Sequence, residues 1–195
     1  MYLDLGLEDT FGGWISSYSI MAGLSTKETA TIYPTIFWVT MTTFRFLSAL
    51  LPGTSSQKLG WFQRGIVTAG VLTLGLVWMG LGQVACYLSA VLFGMGIAPL
   101  YPLVFSLSSE FGRHLEEGQT TNITTAAMLA EGTMTMATGQ LMQHVSVHMF
   151  YLCLAMMGLV MWVDRNLIVS ILERNRQELP LEMELVSKQP PLNNE

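Results

Sequence analysis

The residues best placed to do chemistry are charged groups inside long apolar stretches of the chain. Glu131 is the only charged residue between Gly118 and Val163. In a membrane, a charged side chain at mid-depth costs ~2.5 to 3.5 kcal/mol on insertion scales unless it faces a cavity, a partner or a proton. We therefore expect Glu131 to act in cation or proton coupling or in a gate contact. The alternative is a structural Glu131, either protonated or hydrogen-bonded to Thr and Ser of adjacent helices.

The segment from Gly94 to Pro102 is a second candidate, because it holds two glycines and two prolines within nine residues. Each proline removes a backbone hydrogen bond and clashes with the preceding turn, so a regular helix cannot run through the whole segment. At membrane depth, carbonyls freed in this way are tolerated where the backbone lines a cavity. The segment therefore predicts either a cavity-lining break or a packing kink.

Three further charges lie near the ends of apolar stretches. Glu8 and Asp9 stand close to the beginning of the first stretch, and Arg45 stands close to the end of the second. An interfacial acid costs little, so a solvated helix start is an alternative to a coupling role for Glu8 and Asp9. We expect the Arg45 guanidinium to snorkel to the interface.

Long helices must position these groups. Gly65 to Ser109 is a run of 45 residues without Asp, Glu, Lys or Arg. As one helix it would reach ~68 Å, more than twice the ~30 Å hydrocarbon core of a bilayer. We therefore predict two crossings with a turn at Gly80 to Gln83, and two more between Gly118 and Val163 with a reversal near Gln143 to His148.

The composition agrees with a membrane protein: 51% of the residues are hydrophobic, 12% are charged, and the mean hydropathy is +0.44. A buried soluble core is the alternative, but soluble domains rarely sustain such long uncharged runs. We predict an all-α fold, a polytopic membrane protein whose six-helix bundle occupies residues 1–176. The tail at 177–195 carries three prolines, and we expect it to be disordered and cytoplasmic. The predicted spans are about 5–24, 29–51, 61–79, 84–107, 121–143 and 148–170.

The distribution of basic residues predicts the orientation. With these spans, eight of the nine Lys and Arg residues fall on one side, and Lys27 alone falls on the other. By the positive-inside rule, both termini and the second and fourth loops are then cytoplasmic. The outer loops are short, which argues against an extracellular receptor or enzyme domain.

The sequence offers little for other functions. It has no Ser/His/Asp grouping, phosphate loop or metal-ligand spacing, so we expect neither an enzyme nor a metal site. Cys86 and Cys153 both fall inside predicted spans, which suggests neither a disulfide framework nor a zinc site. We expect no nucleic-acid partner.

Four segments resemble a known transporter family. Glu8 to Tyr18, which reads EDTFGGWISSY, resembles the seventh helix of the sugar-porter branch of the major facilitator superfamily that includes the L-fucose permease and the sodium-dependent glucose transporter-like proteins. In that helix an acidic residue precedes a Gly-Trp-Ile stretch by the same few positions. The other three matches follow in the family's order, as its eighth, tenth and eleventh helices: Phe37-Trp38 with Arg45-Phe46-Leu47, Gly94 to Ser106, and Ala130-Glu131-Gly132.

The resemblance implies that this chain corresponds to the carboxy-terminal six of twelve helices. By position, it implies one set of substrate-binding residues: Trp14, Ser17, Tyr18, Trp38, Tyr101 and Glu131. From their charge and their positions in the spans, we also expect a set of coupling or gating residues: Glu8, Asp9, Arg45 and Glu131. Aromatic rings would stack on the apolar face of a hexose, and hydroxyls or carboxylates would bond its OH groups.

The function implied by this resemblance is secondary transport of glucose or another hexose by alternating access. The coupling ion would be a sodium ion or a proton, with no other cofactor. The partners would be the lipid bilayer, the sugar, and a second six-helix half or a second copy of the chain. We expect a plasma membrane rather than an internal one. The alternative is a nontransporting, truncated membrane protein that acts as a scaffold or partner-binding bundle.

Overall fold

The computed structural model describes residues 2–52, 55–100, 102–103, 106, 117–163, 166–167 and 170, and the regular secondary structure of these residues is all helical. The prediction of an all-α fold is therefore confirmed. None of the described helices combines the length and the apolar character needed to cross a membrane. The helices described from end to end are α1 Tyr2–Met21, α2 Lys27–Ala30, α3 Ile32–Leu47 with a 3-10 turn at Ser48–Leu50, α4 Ser55–Trp78, α5 Gly82–Ile97, α6 Glu117–His144, and one at residues 149–163. Residues 100, 102–103, 106, 166–167 and 170 are also helical.

Both predicted turns lie where the sequence indicates them. Gly80 has a positive φ of 78°, a conformation that glycine adopts without steric cost. Its N–H donates to the carbonyl of Val77, and the N–H of Leu81 donates to the carbonyl of Leu76, which is the Schellman pattern of a helix end. The turn between α4 and α5 is thus confirmed. The reversal between α6 and the 149–163 helix is confirmed too, since a turn occupies residues 145–148.

The predicted span at 29–51 is divided into α2, α3 and the 3-10 turn. Thr26 starts α2 through a capping box, in which its hydroxyl and that of Thr29 each accept from the other's backbone N–H. Hydrogen bonds from its own backbone N–H and from Thr26 lower the pKa of the exposed Glu28. Pro34, in the first turn of α3, has no N–H for the carbonyl of Ala30, four residues earlier. This missing bond explains why the helix is interrupted at residue 31.

The core lies where α1, α3, α5 and the 149–163 helix meet. The α1 face that points inward carries Leu7, Phe11, Ile15 and Tyr18, all fully buried and spaced by three or four residues. The Phe11 ring stacks on that of Phe93 at 5.0 Å and packs against other rings of α3 and the 149–163 helix. Along the chain, α1 packs on α6, and both α3 and α4 pack on α5.

Close approach of α3 and α5 depends on Gly94. A Cβ at this position would lie 2.9 Å from the backbone carbonyl oxygen of Phe37 and 3.1 Å from the Cβ of Thr40. The two helices therefore approach through backbone at this point, which is the first residue of the segment Gly94 to Pro102 that the sequence predicts to be irregular.

The chain forms two compact units, residues 1–162 and 163–195. In the second unit, Ser170 Oγ donates to the carbonyl of Leu167 at 2.8 Å. The predicted bundle boundary at 176 and the predicted disordered tail at 177–195 lie outside the described residues.

Candidate functional site

A cavity of about 670 Å³ opens between α1, α3 and α6. Its walls combine two indole rings, two carboxylates, a hydroxyl, two methionines and three glycines. The lining residues are Asp9, Gly12, Gly13 and Trp14 from α1, Trp38 from α3, and Met128, Glu131, Gly132, Thr135 and Met136 from α6.

One face of helix α1 packs in the core, and the opposite face lines the cavity. Phe11 and Ile15 point into the core, while Asp9 and Gly13, one helical turn apart, line the cavity. A Cβ at Gly13 would meet nothing within 4 Å, so this glycine leaves open space in the wall. The local sequence of α1 therefore makes room for a ligand on one side while it packs tightly on the other.

Trp14 is held rigidly between α1 and α6. Its Nε1 donates to the backbone carbonyl of Thr135 at 2.8 Å. The indole ring also packs against Gly139 of α6, where the Cβ of any other residue would overlap the ring. Thr10 and Thr135 add a contact between their hydroxyl oxygens at 3.3 Å. A ring fixed at both its nitrogen and its edge is pre-organised to receive a ligand.

Trp38 forms the wall that α3 contributes, and its side chain is 40% exposed. Its ring meets Phe37 edge to face at 5.1 Å. Gly12 allows it to approach α1, since a Cβ there would lie 3.0 Å from the indole ring. Trp38 thus packs on Phe37 and on α1 while part of its side chain stays exposed at the cavity.

The electrostatic character of the cavity is acidic. Asp9 and Glu131 both line it. Among the described residues of the lining, none is Lys, Arg or His. Ionised carboxylates are acceptors only, so this pair can bind hydroxyl groups of a neutral ligand or a cation.

Arg45 lies outside this lining and binds a helix break. Its Nε donates to the carbonyl of Ala98 at 3.0 Å, and its Nη2 lies 3.5 Å from Glu8 Oε2. Pro102, four residues after Ala98, has no N–H for that carbonyl. The guanidinium therefore binds the acceptor that the proline leaves free, and its expected position at an interface stays a prediction.

Three of the predicted substrate-binding residues do not line the cavity or cannot be placed. Tyr18 lies in the core, where its ring packs on Phe150 at 5.1 Å and on Tyr151 at 5.0 Å. Its position follows from the three- and four-residue spacing of the buried α1 face, a signal present in the sequence. Ser17 is half-buried and is not among the lining residues. Tyr101 lies outside the described residues.

Some lining residues were not predicted. Met128, Thr135 and Met136 lie within one or two helical turns of Glu131 on the same face of α6. Helical spacing from Glu131 could have found them, because residues three or four positions apart share a face. Gly12 and Gly13 carry no side chain, and only the packing of α1 shows that they matter.

Comparison of the chain with protein-family models, with curated proteins and with solved structures finds no match. Within the described residues, no three His, Cys, Asp or Glu side chains lie close enough to hold a metal ion together.

Proposed function

We propose that the chain binds a hexose in the cavity between α1, α3 and α6 and transports it as the carboxy-terminal half of a major facilitator-type carrier. The observation that carries this proposal is the convergence of Trp14, Trp38 and Glu131 on one cavity. These residues come from three helices and are separated by more than twenty residues in the sequence. The family resemblance selects all three as substrate-binding residues.

The size and chemistry of the cavity support a sugar ligand. Its volume of about 670 Å³ falls within the usual range for small-molecule sites, ~300 to 1,000 Å³. The indole rings of Trp14 and Trp38 can cover the apolar C–H face of a hexose. Asp9 and Glu131 can accept hydrogen bonds from its hydroxyl groups.

The outer surface of the bundle supports a bilayer environment. Helix α4 exposes Val71 and Leu72, and at its end Trp78 is 94% exposed. Apolar side chains of this size are more stable against lipid tails than against water. The polar groups of the cavity lie instead between helices, as expected for a substrate path.

The open cavity also supports the inference of a half-size carrier. Alternating access moves two helix bundles around a site that both of them line. A second six-helix half, or a second copy of this chain, would close the cavity from the remaining side. The coupling cation, a sodium ion or a proton, would be bound by Asp9 and Glu131, with Glu8 and Arg45 as a gating contact.

Binding should be measured first, with the full chain in lipid nanodiscs and with radiolabelled D-glucose as the probe. Trp38→Ala should weaken binding roughly tenfold or more, because loss of one stacked ring removes about 1.4 kcal/mol of binding free energy. Trp78→Ala is the matched control, since it also removes an exposed indole but lies at the end of α4. Equal affinities of the two variants would contradict a site at Trp38.

Uptake into proteoliposomes then separates transport from binding. Saturable uptake that responds to a sodium or proton gradient, and loses this response in Glu131→Gln, would support a coupled carrier. Binding without uptake would show that a second half is required. No hexose binding by the well-folded chain would overturn the proposal and favour the nontransporting scaffold.

A further inference from the structure

The helix that begins as α5 is broken after Ile97, and the break has a specific geometry. Residues 98–99 form a turn, and helical residues resume at position 100. Ala98 keeps right-handed helical angles, φ −43° and ψ −49°. The N–H of Leu103 donates to the carbonyl of Pro99 at 3.0 Å, so the backbone beyond the turn is already helical. The carbonyl of Ala98 therefore points to where the N–H of residue 102 would be, and residue 102 is a proline.

This carbonyl is buried, and a buried acceptor without a donor is costly. Arg45 supplies the donor from α3, 53 residues away in the sequence. The same guanidinium lies 3.5 Å from Glu8 on α1 and 3.8 Å from the sulfur of Met41. Arg45 thus connects the break at residues 98–99 to Glu8 on α1.

We propose that Arg45 is a positioning residue that holds the break at residues 98–99 in place and makes its stability depend on the charge of Glu8. We call the contacts of Arg45 with Ala98 and Glu8 the Arg45 lock. Bonds from a charged donor are stronger than those from a neutral one, and the carboxylate of Glu8 orients the donor. The side chain of Glu8 is 13% exposed and that of Arg45 is 42% exposed, so solvent screens their attraction only in part.

Through Arg45, the acidic side chains near Glu8 can affect the stability of the break at residues 98–99. Asp9 and Glu131 are the other acidic groups that act electrostatically on Glu8. A cation bound to the Glu8 carboxylate itself would compete with Arg45 for it and weaken the attraction between the two side chains. The break would then be released from α1 and α3. Nothing in this arrangement requires a sugar in the cavity, so the lock can be tested without a substrate.

The decisive experiment restores the missing donor. Pro102→Ala gives residue 102 an N–H that can bond to the carbonyl of Ala98, and makes Arg45 dispensable there. Hydrogen exchange of the backbone amides at residues 95–101 should be measured by mass spectrometry for the full chain in nanodiscs. Arg45→Gln should speed this exchange roughly tenfold in the natural background and less than threefold with Pro102→Ala. Arg64→Gln, an exposed arginine of α4, should leave it unchanged.

Equal acceleration in both backgrounds would overturn the lock, because Arg45 would then stabilise the bundle by some other contact. No acceleration in the natural background would overturn it as well. Should Arg45→Gln alone fail to fold, recovery of folding by Pro102→Ala would support the lock, and continued failure would contradict it.

The role of Glu8 is tested separately. Glu8→Gln keeps the size of the side chain but removes the charge, and should speed the exchange of residues 95–101 about threefold in the natural background. Glu28→Gln provides the comparison and should leave the exchange unchanged, since Glu28 is an exposed acid of α2 and has no bond to Arg45 among the described contacts. Natural exchange rates in Glu8→Gln would show that the break is held without control by Glu8.

Discussion

Pro34 and Pro102 each leave one helix carbonyl without its usual donor, and a different side chain binds each of these carbonyls. At the first interruption, Pro34 offers no N–H to Ala30, and Ser16 Oγ donates to the Ala30 carbonyl at 2.9 Å. The hydroxyl is neutral and comes from the middle of α1. This contact joins α1 to α2 without any counter-ion, so it is independent of the charge state of the protein.

At the second interruption the donor is charged. Arg45 Nε binds the carbonyl that Pro102 leaves free on Ala98, and the guanidinium has Glu8 as its counter-ion. Such a bond is stronger, but it depends on a second residue whose charge can change. The contact at the first interruption is therefore independent of side-chain charge, whereas the contact at the second depends on the charge of Glu8. In both places a proline removes one helix hydrogen bond. A neutral hydroxyl replaces the donor at the first, and a charged guanidinium replaces it at the second.

The largest effect is expected from removing the charged donor. Arg45→Met keeps much of the side-chain length but leaves the Ala98 carbonyl and the Glu8 carboxylate without their partner. We expect the free energy of unfolding in a nonionic detergent to fall by about 2–3 kcal/mol. Arg64→Met on α4 is the control and should change it by less than about 0.5 kcal/mol. A loss at Arg45 no greater than at Arg64 would remove the contrast between the two interruptions.

The next effect concerns the packing that brings α3 to the second interruption. Gly94→Ala places a Cβ 2.9 Å from the carbonyl oxygen of Phe37, so α3 and α5 must separate. We expect a loss of about 1–3 kcal/mol, measured by the same unfolding assay. Gly75→Ala in α4 meets nothing within 4 Å and should instead gain about 0.5–1 kcal/mol. Tolerance of Gly94→Ala would mean that Arg45 reaches Ala98 without close helix contact.

A smaller effect is expected at the first interruption. Ser16→Ala removes one neutral hydrogen bond to the Ala30 carbonyl, and should cost about 1 kcal/mol. In a Pro34→Ala background, residue 34 can donate to the same carbonyl, so the cost of Ser16→Ala should fall towards zero. Thermal unfolding of the four proteins measures this difference. An unchanged cost would show that Ser16 does not substitute for the missing helix bond.

Much of the fold could be predicted from single stretches of sequence. The uncharged runs predict long helices, and Gly80 marks a helix end because its positive φ suits glycine. The prolines even predict which carbonyls lack a donor, by the rule that residue i bonds to residue i−4. Each of these features depends only on residues within one or two helical turns of it.

The side chains that donate to these carbonyls could not be predicted from one stretch of sequence. Arg45 meets Ala98 across 53 residues, and Ser16 meets Ala30 across a turn between helices. Either side chain could have pointed elsewhere, because its direction depends on how α1, α3 and α5 pack. Tyr18 is the converse case, since its spacing from Phe11 already indicates the core. Helical periodicity is a better guide there than the family resemblance, which assigns Tyr18 to the cavity.

The smallest expected effect is also the most direct test of the contrast between the two interruptions, because it changes the solvent and not the chain. The Debye length falls from ~30 Å at 0.01 M salt to ~3 Å at 1 M. Arg45 is 42% exposed, so salt can screen its attraction to Glu8. The cost of Arg45→Met should therefore decrease by a few tenths of a kcal/mol between these conditions. The cost of Ser16→Ala should stay constant, because a neutral hydroxyl on a backbone carbonyl involves no net charge. If both costs changed together, salt would be acting on the whole bundle, and the second interruption would be no more charge-dependent than the first.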